Sequence, residues 1–230
     1  MYVLKWFAFL CMNSLALAQV PSLLFSPAVA AYEDAGFGAA YWVSGNGVDE
    51  CHYAAFANWE YRAYRGAFYY SYGELDSIYR ESFGTLEAGL VWKHFGVGGG
   101  YGLAMEWIPG DAFWARHRYD VGALGHFRSL TLGLSLSGFS GEPPRVVAAF
   151  YWHPSPGLRF FVQGFRHEAV TGYELCFAPL CVESAFRAPG FAFALGASVV
   201  LGEWNMGGNH WFGGEDLDWN AFWVRRRLKK

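Results

Sequence analysis

SLTLGLSLSG, Ser129 to Gly138, alternates almost without a break. In an extended chain successive side chains point to opposite faces. Leu130, Leu132, Leu134 and Leu136 therefore form one row, and Thr131, Gly133, Ser135 and Ser137 the other. The leucine row faces either a protein core or lipid, and that choice decides the fold.

Composition favours lipid. Aromatic residues make up 20% of the 230 residues and charged residues only 16%, with 29 glycines. A soluble domain carries about a quarter charged residues to cover its surface. Past the N-terminus no segment offers the roughly 18 uninterrupted apolar residues of a membrane helix. Pro189 to Gly202 comes nearest and is too short and broken by glycine. The net charge is −3, and basic residues cluster only in VRRRLKK, Val224 to Lys230. Nucleic acid is therefore not an expected partner. Residues 225–230 read as a solvated basic tail, with anionic lipid headgroups as the sharper alternative.

The start of the chain reads as a secretory signal over 1–18. Lys5 precedes an apolar run, and Ala16-Leu17-Ala18 stands before Gln19 as a cleavage site. Leu10 before Cys11 lacks the small residue that lipoprotein processing wants. Residues 19–224 then form one domain.

Period-two segments recur at 36–43, 51–60, 63–72, 84–94, 97–107, 115–126, 129–139, 145–153, 157–167, 170–176, 180–187, 191–202 and 216–224. Two tight hairpins link their faces. A turn at Phe95-Gly96 puts Leu86, Leu90 and Trp92 on one side with Val97, Tyr101 and Trp107. It puts Glu87, Lys93 and Glu106 on the other with Gly98, Gly100 and Gly102. A turn at Phe127-Arg128 joins Tyr119, Val121 and Ala123 to the leucine row, and Arg116, Arg118 and Asp120 to Thr131, Ser135 and Ser137. Directly opposed antiparallel residues share a face, so both hairpins are self-consistent. FAFALGASVVLG, Phe191 to Gly202, repeats the split between large apolar and small residues.

A soluble sandwich would carry Lys, Glu and Thr on its outer face, not Gly, Ala and Ser. The assignment inverts in a membrane barrel: large apolar residues meet lipid, and small and charged ones fill a narrow lumen. The expected fold is an all-β antiparallel transmembrane β-barrel in the outer membrane of a Gram-negative bacterium. Single-chain bacterial barrels have an even strand number, so about 12 strands are expected, with 10 to 14 open and 21–25 as a strand not counted. The expected lumen lining is Glu87, Lys93, Glu106, Arg116, Arg118, Asp120, Arg159 and Gln163. It is either a self-neutralising plug or a lining that selects solutes. Tyr69, Tyr70, Tyr72, Trp107, Trp114, Trp152, Trp211, Trp219 and Trp223 fall near strand ends, where interfacial girdles sit. SGNGVDE, GELDSIYRES and IPGDAF are long connections and EYR, FG and FR short ones, as outer loops and periplasmic turns alternate.

Ser26-Pro27-Ala28, near the mature N-terminus, and the run GYELCFAPLCVESAFRAPGFAFALG with Glu174, Arg187, Gly190 and Gly196 resemble motifs of FadL/PorV-type outer-membrane proteins. NHWFGG, Asn209 to Gly214, is similar to the His-x-x-Gly before their last strand. The resemblance covers most of the mature chain in layout and about 30 residues in motif. It implies a barrel without a catalytic motif. Seven residues follow Trp223, whereas such barrels commonly end on an aromatic.

Of the remaining cysteines, Cys176 and Cys181 are candidates to clip a turn at Ala178-Pro179, with free thiols as the alternative; Cys51 reads as a free thiol. The seven histidines are dispersed and show no metal-ligand spacing. GVGGGYG and GNGVDE lack the following helix of a phosphate loop. No cofactor is expected. Three functions stay open. The first is a non-enzymatic envelope barrel, either scaffold or narrow passage for small or hydrophobic solutes, in contact with outer-membrane lipid and an envelope protein partner. The second is a lipid-modifying barrel enzyme; Ser135 and Ser137 face the lumen, as many small residues do, and nothing marks a catalytic set. The third is a secreted sandwich binding glycans through aromatics.

Overall fold

Alternating segments joined by short turns fold as a meander, each strand pairing with the one before it. The computed structural model describes residues 35–44, 50–75, 79–108, 110, 113–165, 168–188, 191–213 and 219–228. Its strands are β1 (Gly36–Ser44), β2 (Glu50–Tyr61), β3 (Tyr64–Leu75), β4 (Tyr79–Trp92), β5 (Phe95–Trp107), β6 (Phe113–Phe127), β7 (Leu130–Phe139), β8 (Arg145–Ser155), β9 (Leu158–Phe165), β10 (Glu168–Phe177), β11 (Leu180–Ala188), β12 (Ala192–Leu201), β13 (Trp204–Phe212) and β14 (Trp219–Arg227). All neighbours are antiparallel, and β14 pairs with β1 from Gly36↔Arg227 to Ser44↔Trp219. The sheet is a closed barrel.

The expected count of about 12 is thus corrected to fourteen. The overlooked strand is β13, WNMGGNHWF, whose glycines and asparagines resemble a loop. It alternates nonetheless. Trp204, Met206 and Phe212 are exposed, while Asn205, Asn209 and Trp211 are buried. Gly207 is required because Trp223 lies across it: a Cβ there would stand 2.6 Å from the indole. The suspected strand at 21–25 lies outside the described residues. At the other end, β14 continues through Arg227, and Arg225 is buried. Three residues read as basic tail therefore belong to the last strand, and Trp223 sits within it.

The exposure pattern settles the leucine question. Leu132, Leu134 and Leu136 are 45%, 56% and 45% exposed, whereas Glu87, Arg118 and Asp120 are 2%, 3% and 5% exposed. Among the described residues forty large apolar or aromatic side chains are exposed. A soluble monomer rarely presents apolar patches beyond a few hundred Å², so the sandwich reading fails. The outer wall is a surface made for hydrocarbon. Tyr70, Trp107 and Trp152 are exposed on the outer face, as a girdle requires. Trp114 is exposed too, but it pairs with Glu106 and shares the inward register of Arg116 and Arg118, so its place in the girdle is corrected. Tyr69, Trp211, Trp219 and Trp223 are corrected: they are buried on the inner wall.

The hairpin faces hold, but their turns move. The β4–β5 turn is Lys93-His94, with Trp92↔Phe95 as the last pair. The β6–β7 turn is Arg128-Ser129, with Phe127↔Leu130. Both corrections shift partners by an even number of residues, which leaves every side chain on its face.

Six two-residue turns occupy one rim: 62–63, 93–94, 128–129, 156–157, 178–179 and 202–203. In each, the second residue's carbonyl accepts a hydrogen bond from the next strand. The donors to Ala63, His94, Ser129, Gly157, Pro179 and Glu203 are the amides of Val91, His126, His153, Cys176, Val200 and Arg227, at 2.7–2.8 Å. Leu228 N–H to Ala35, at 2.8 Å, completes the ring. This belt fixes the rim beyond the strand ladders themselves.

Leu134→Arg is expected to destabilise the barrel by about 2–4 kcal/mol, since a cation near the bilayer midplane on the lipid face costs that much. Urea unfolding from phospholipid vesicles reads the difference; an unchanged midpoint would place Leu134 away from lipid.

Candidate functional site: the inner wall

Closure collects every second residue of the strands on one inner surface. Seven of the eight expected lining residues lie there. Glu87 and Asp120 are brought close through the row Glu87↔Gly100↔Asp120. Gly100 leaves room for the Glu87 side chain, because a Cβ there would come within 2.9 Å of its Cγ. Arg118 and Asp120, two apart on β6, share a face. Nη2 of Arg118 donates to Oδ1 of Asp120 at 2.9 Å, and Nε lies 2.8 Å from Oδ2. The Arg118 guanidinium also covers the Phe83 ring at 5.4 Å. Such a two-point ion pair is the arrangement that keeps buried charges tolerable.

Arg116 bridges Glu106 (2.7 Å) and Glu142 (2.9 Å) at the mouth opposite the turn rim, and Arg145 reaches Glu142 at 3.4 Å. Arg159 holds Glu174 at 2.8 Å. Gln163 is buried and donates through Nε2 to the Tyr151 hydroxyl. Lys93 is the exception. It is an exposed turn residue on the rim, so its place in the lining is corrected. The turn moved two residues earlier and took Lys93 out of the strand.

The structure adds residues that the sequence reading left out. Glu174 pairs directly across with Glu183, and Glu81 with Glu106. In each couple one carboxylate is held by an arginine, Arg159 or Arg116. The other is buried and takes weaker partners. Asn209 donates to Glu183 at 3.0 Å, and Tyr79 donates to Glu81 at 3.1 Å with His52 at 3.6 Å. The Glu174/Glu183 couple was readable: it follows from the same Ala178-Pro179 turn proposed for the cysteines. Between these charges the wall is aromatic, with Trp42, Phe56, Tyr69, Phe83, Phe161, Trp211, Trp219 and Trp223 buried.

Cys176 and Cys181 are a direct cross-strand pair joined as a disulfide. Their sulfurs and a Glu174 oxygen lie close together, but a disulfide offers no thiolate to a metal. Cys51 is free. Across from Ser135 stand Gly122 and Val147, and across from Ser137 stand Asp120 and Arg145. None of these neighbours is the imidazole base that a serine nucleophile needs.

No protein-family model matches the sequence, and no curated protein does. Among solved structures, a multiple mutant of the Rhodopseudomonas blastica porin matches with TM-score 0.50 at 6% identity. A triple mutant of the same porin matches with TM-score 0.51 at 7% identity. Each alignment covers 85% of this chain and 99% of the porin. At this identity the likeness shows the fold alone: a closed antiparallel barrel of porin type. The FadL/PorV-type resemblance is not confirmed by it.

Asp120→Asn is expected to cost about 3–5 kcal/mol, because it leaves the Arg118 charge buried without its counter-ion. The double change Arg118→Met with Asp120→Leu should recover most of that loss in urea unfolding. Thiol labelling of the unfolded mature chain should give one reactive cysteine before reduction and all three of Cys51, Cys176 and Cys181 after it.

Proposed function

We propose that the chain is a non-enzymatic outer-membrane β-barrel of a Gram-negative bacterium, exported by a signal over 1–18, that serves as a packed structural component of the envelope. One observation carries this reading. At mid-height the inward side chains Tyr69, Ser71, Phe83, Thr85, Glu87, Arg118 and Asp120 are all 5% exposed or less. A wide aqueous channel would wet such residues. Here aromatic rings and self-neutralising ion pairs fill the space instead.

A narrow passage is the second reading. It is favoured by the track of polar residues Arg159, Glu174, Glu183 and Asn209 along neighbouring strands of the inner wall. The FadL/PorV-type kinship and an envelope protein partner belong to this proposal as well. Lipid-modifying catalysis has less support, since no imidazole stands directly across from either serine and Asp120, across from Ser137, is held by Arg118.

Planar-bilayer recording of the heat-modifiable, folded chain separates the readings. A packed barrel gives no steps above the bare bilayer. Small, ohmic steps would establish the narrow passage. Large steps in every insertion would overturn the packed interior.

A further inference from the structure

Three consecutive turns of the short-turn rim repeat one local sequence, an outward aromatic residue followed by a long cation. They are Tyr61-Arg62, Trp92-Lys93 and Phe127-Arg128. All three cations have positive φ, at 56°, 51° and 52°. Left-handed backbone is cheap for glycine and costs other residues roughly 1–2 kcal/mol. The corresponding turn between β12 and β13 uses Gly202, φ 63°. In a chain with 29 glycines, a cation at three such positions means that the side chain matters more than the backbone cost.

These cations stand on the aromatic belt. The Arg62 guanidinium lies 5.4 Å from the Tyr61 ring centre, and the Lys93 ammonium 5.8 Å from that of Trp92. The turns are fastened together. Val91 N–H bonds to Ala63, His126 N–H bonds to His94, and the Phe127 ring meets both His94 (6.3 Å) and Phe95 (5.7 Å). Around the rim, Arg65 is paired with Glu60 and Arg226 with Glu203. Arg62, Lys93 and Arg128 are the cations of the three turns. The turns Pro156-Gly157, Ala178-Pro179 and Gly202-Glu203 carry no cation, so the cation turns lie on one side of the barrel, while Arg225, Arg226 and Arg227 reach the same rim at the end of β14.

On that same side the lipid-facing wall is hollowed. Gly99, Ala123 and Gly125 form the floor of a furrow, with Leu90, Val97 and Leu134 as its walls. Phe95 lines its turn end, beside Lys93. Cations at the rim and an apolar furrow running from it match one ligand class. We propose that the barrel binds an anionic diacyl phospholipid here, its headgroup on Lys93 and Arg128 with Arg62 beside them, and an acyl chain in the furrow. The inference rests on the membrane-barrel reading above. Aromatics set the depth, and each basic residue near the membrane surface is worth about a fivefold preference for anionic lipid.

The test uses the mature barrel in phosphatidylcholine vesicles doped with spin-labelled phosphatidylglycerol or spin-labelled phosphatidylcholine. Electron spin resonance reads the motionally restricted share of each label. The expected result is several-fold preference for phosphatidylglycerol, falling toward one in the Lys93→Gln plus Arg128→Gln variant and as salt rises. Ala123→Phe, which fills the furrow without altering charge, should release the restricted chain. Arg80→Gln, a cation over Trp107 at the opposite rim (5.0 Å), should leave the preference intact. Equal restriction of the two lipids, or a preference that survives the double variant, overturns the site. So does a dimer in sedimentation with no restricted phosphatidylglycerol, because a second copy then covers the furrow. Heat-modifiability on gels is checked in every preparation. A chain that never inserts sinks the barrel reading itself, whereas an inserted barrel without lipid preference sinks only the lipid site.

Discussion

Backbone amides inside hydrocarbon have no water to turn to. Each one left unpaired costs several kcal/mol, and a sheet with two edges would leave two rows of them. The pairing of β1 with β14 removes both edges at once. Everything else follows from that closure. Once the sheet is a ring, the period-two alternation of every strand sorts residues into an outside and an inside with no third option. The row of leucines on β7 and the Arg118–Asp120 pair on β6 are two consequences of the same constraint. The rim belt from Ala63 to Leu228 extends the same logic past the ladders, to the depth where lipid gives way to headgroups.

A ring of fourteen strands encloses more space than small side chains can fill. The connections are two to six residues long, so they bring few side chains of their own. Among the described residues it is the strands that line the interior. That explains why the inner wall carries Trp42, Phe83, Trp211 and Trp223 besides its charges. It also explains part of the glycine content. Gly207 beneath Trp223, Gly100 beneath Glu87 and Gly196 beneath Glu183 each let a neighbour's side chain lie flat on the wall. Aromatic residues therefore do two different things in one chain: they anchor the outside at the interface and pack the inside.

That double use marks where the sequence stops being legible. Face parity was readable because charge and bulk alternate, and it survived turns misplaced by one or two residues. Register was not, since any even shift preserves the faces. Trp92, outward and exposed, and Trp223, inward and buried, look alike as isolated residues near strand ends. Only the parity of their strands separates them. β13 was missed because its inward glycines exist to accommodate partners on β12 and β14, information that a single strand does not hold. Of the lining, Arg118, Asp120, Glu87 and Gln163 were legible from alternation. The Glu174/Glu183 couple follows from the Ala178-Pro179 turn, whereas Glu81 beside Glu106 required the register.

The two rims are not equivalent, and their difference gives the barrel a direction. One carries six two-residue turns locked by hydrogen bonds, with Ala35 and Leu228 joined there, so both chain ends leave from the same side. Short turns are the periplasmic feature of such barrels. A chain exported through the inner membrane meets the outer membrane from that side, and what must then cross the bilayer is only the other set of connections, none longer than six residues. In the proposed envelope orientation the cation turns at 62, 93 and 128 stay at the leaflet first encountered. Their left-handed backbone would then sit on the rim that does not cross, where a fixed positive charge does not oppose insertion.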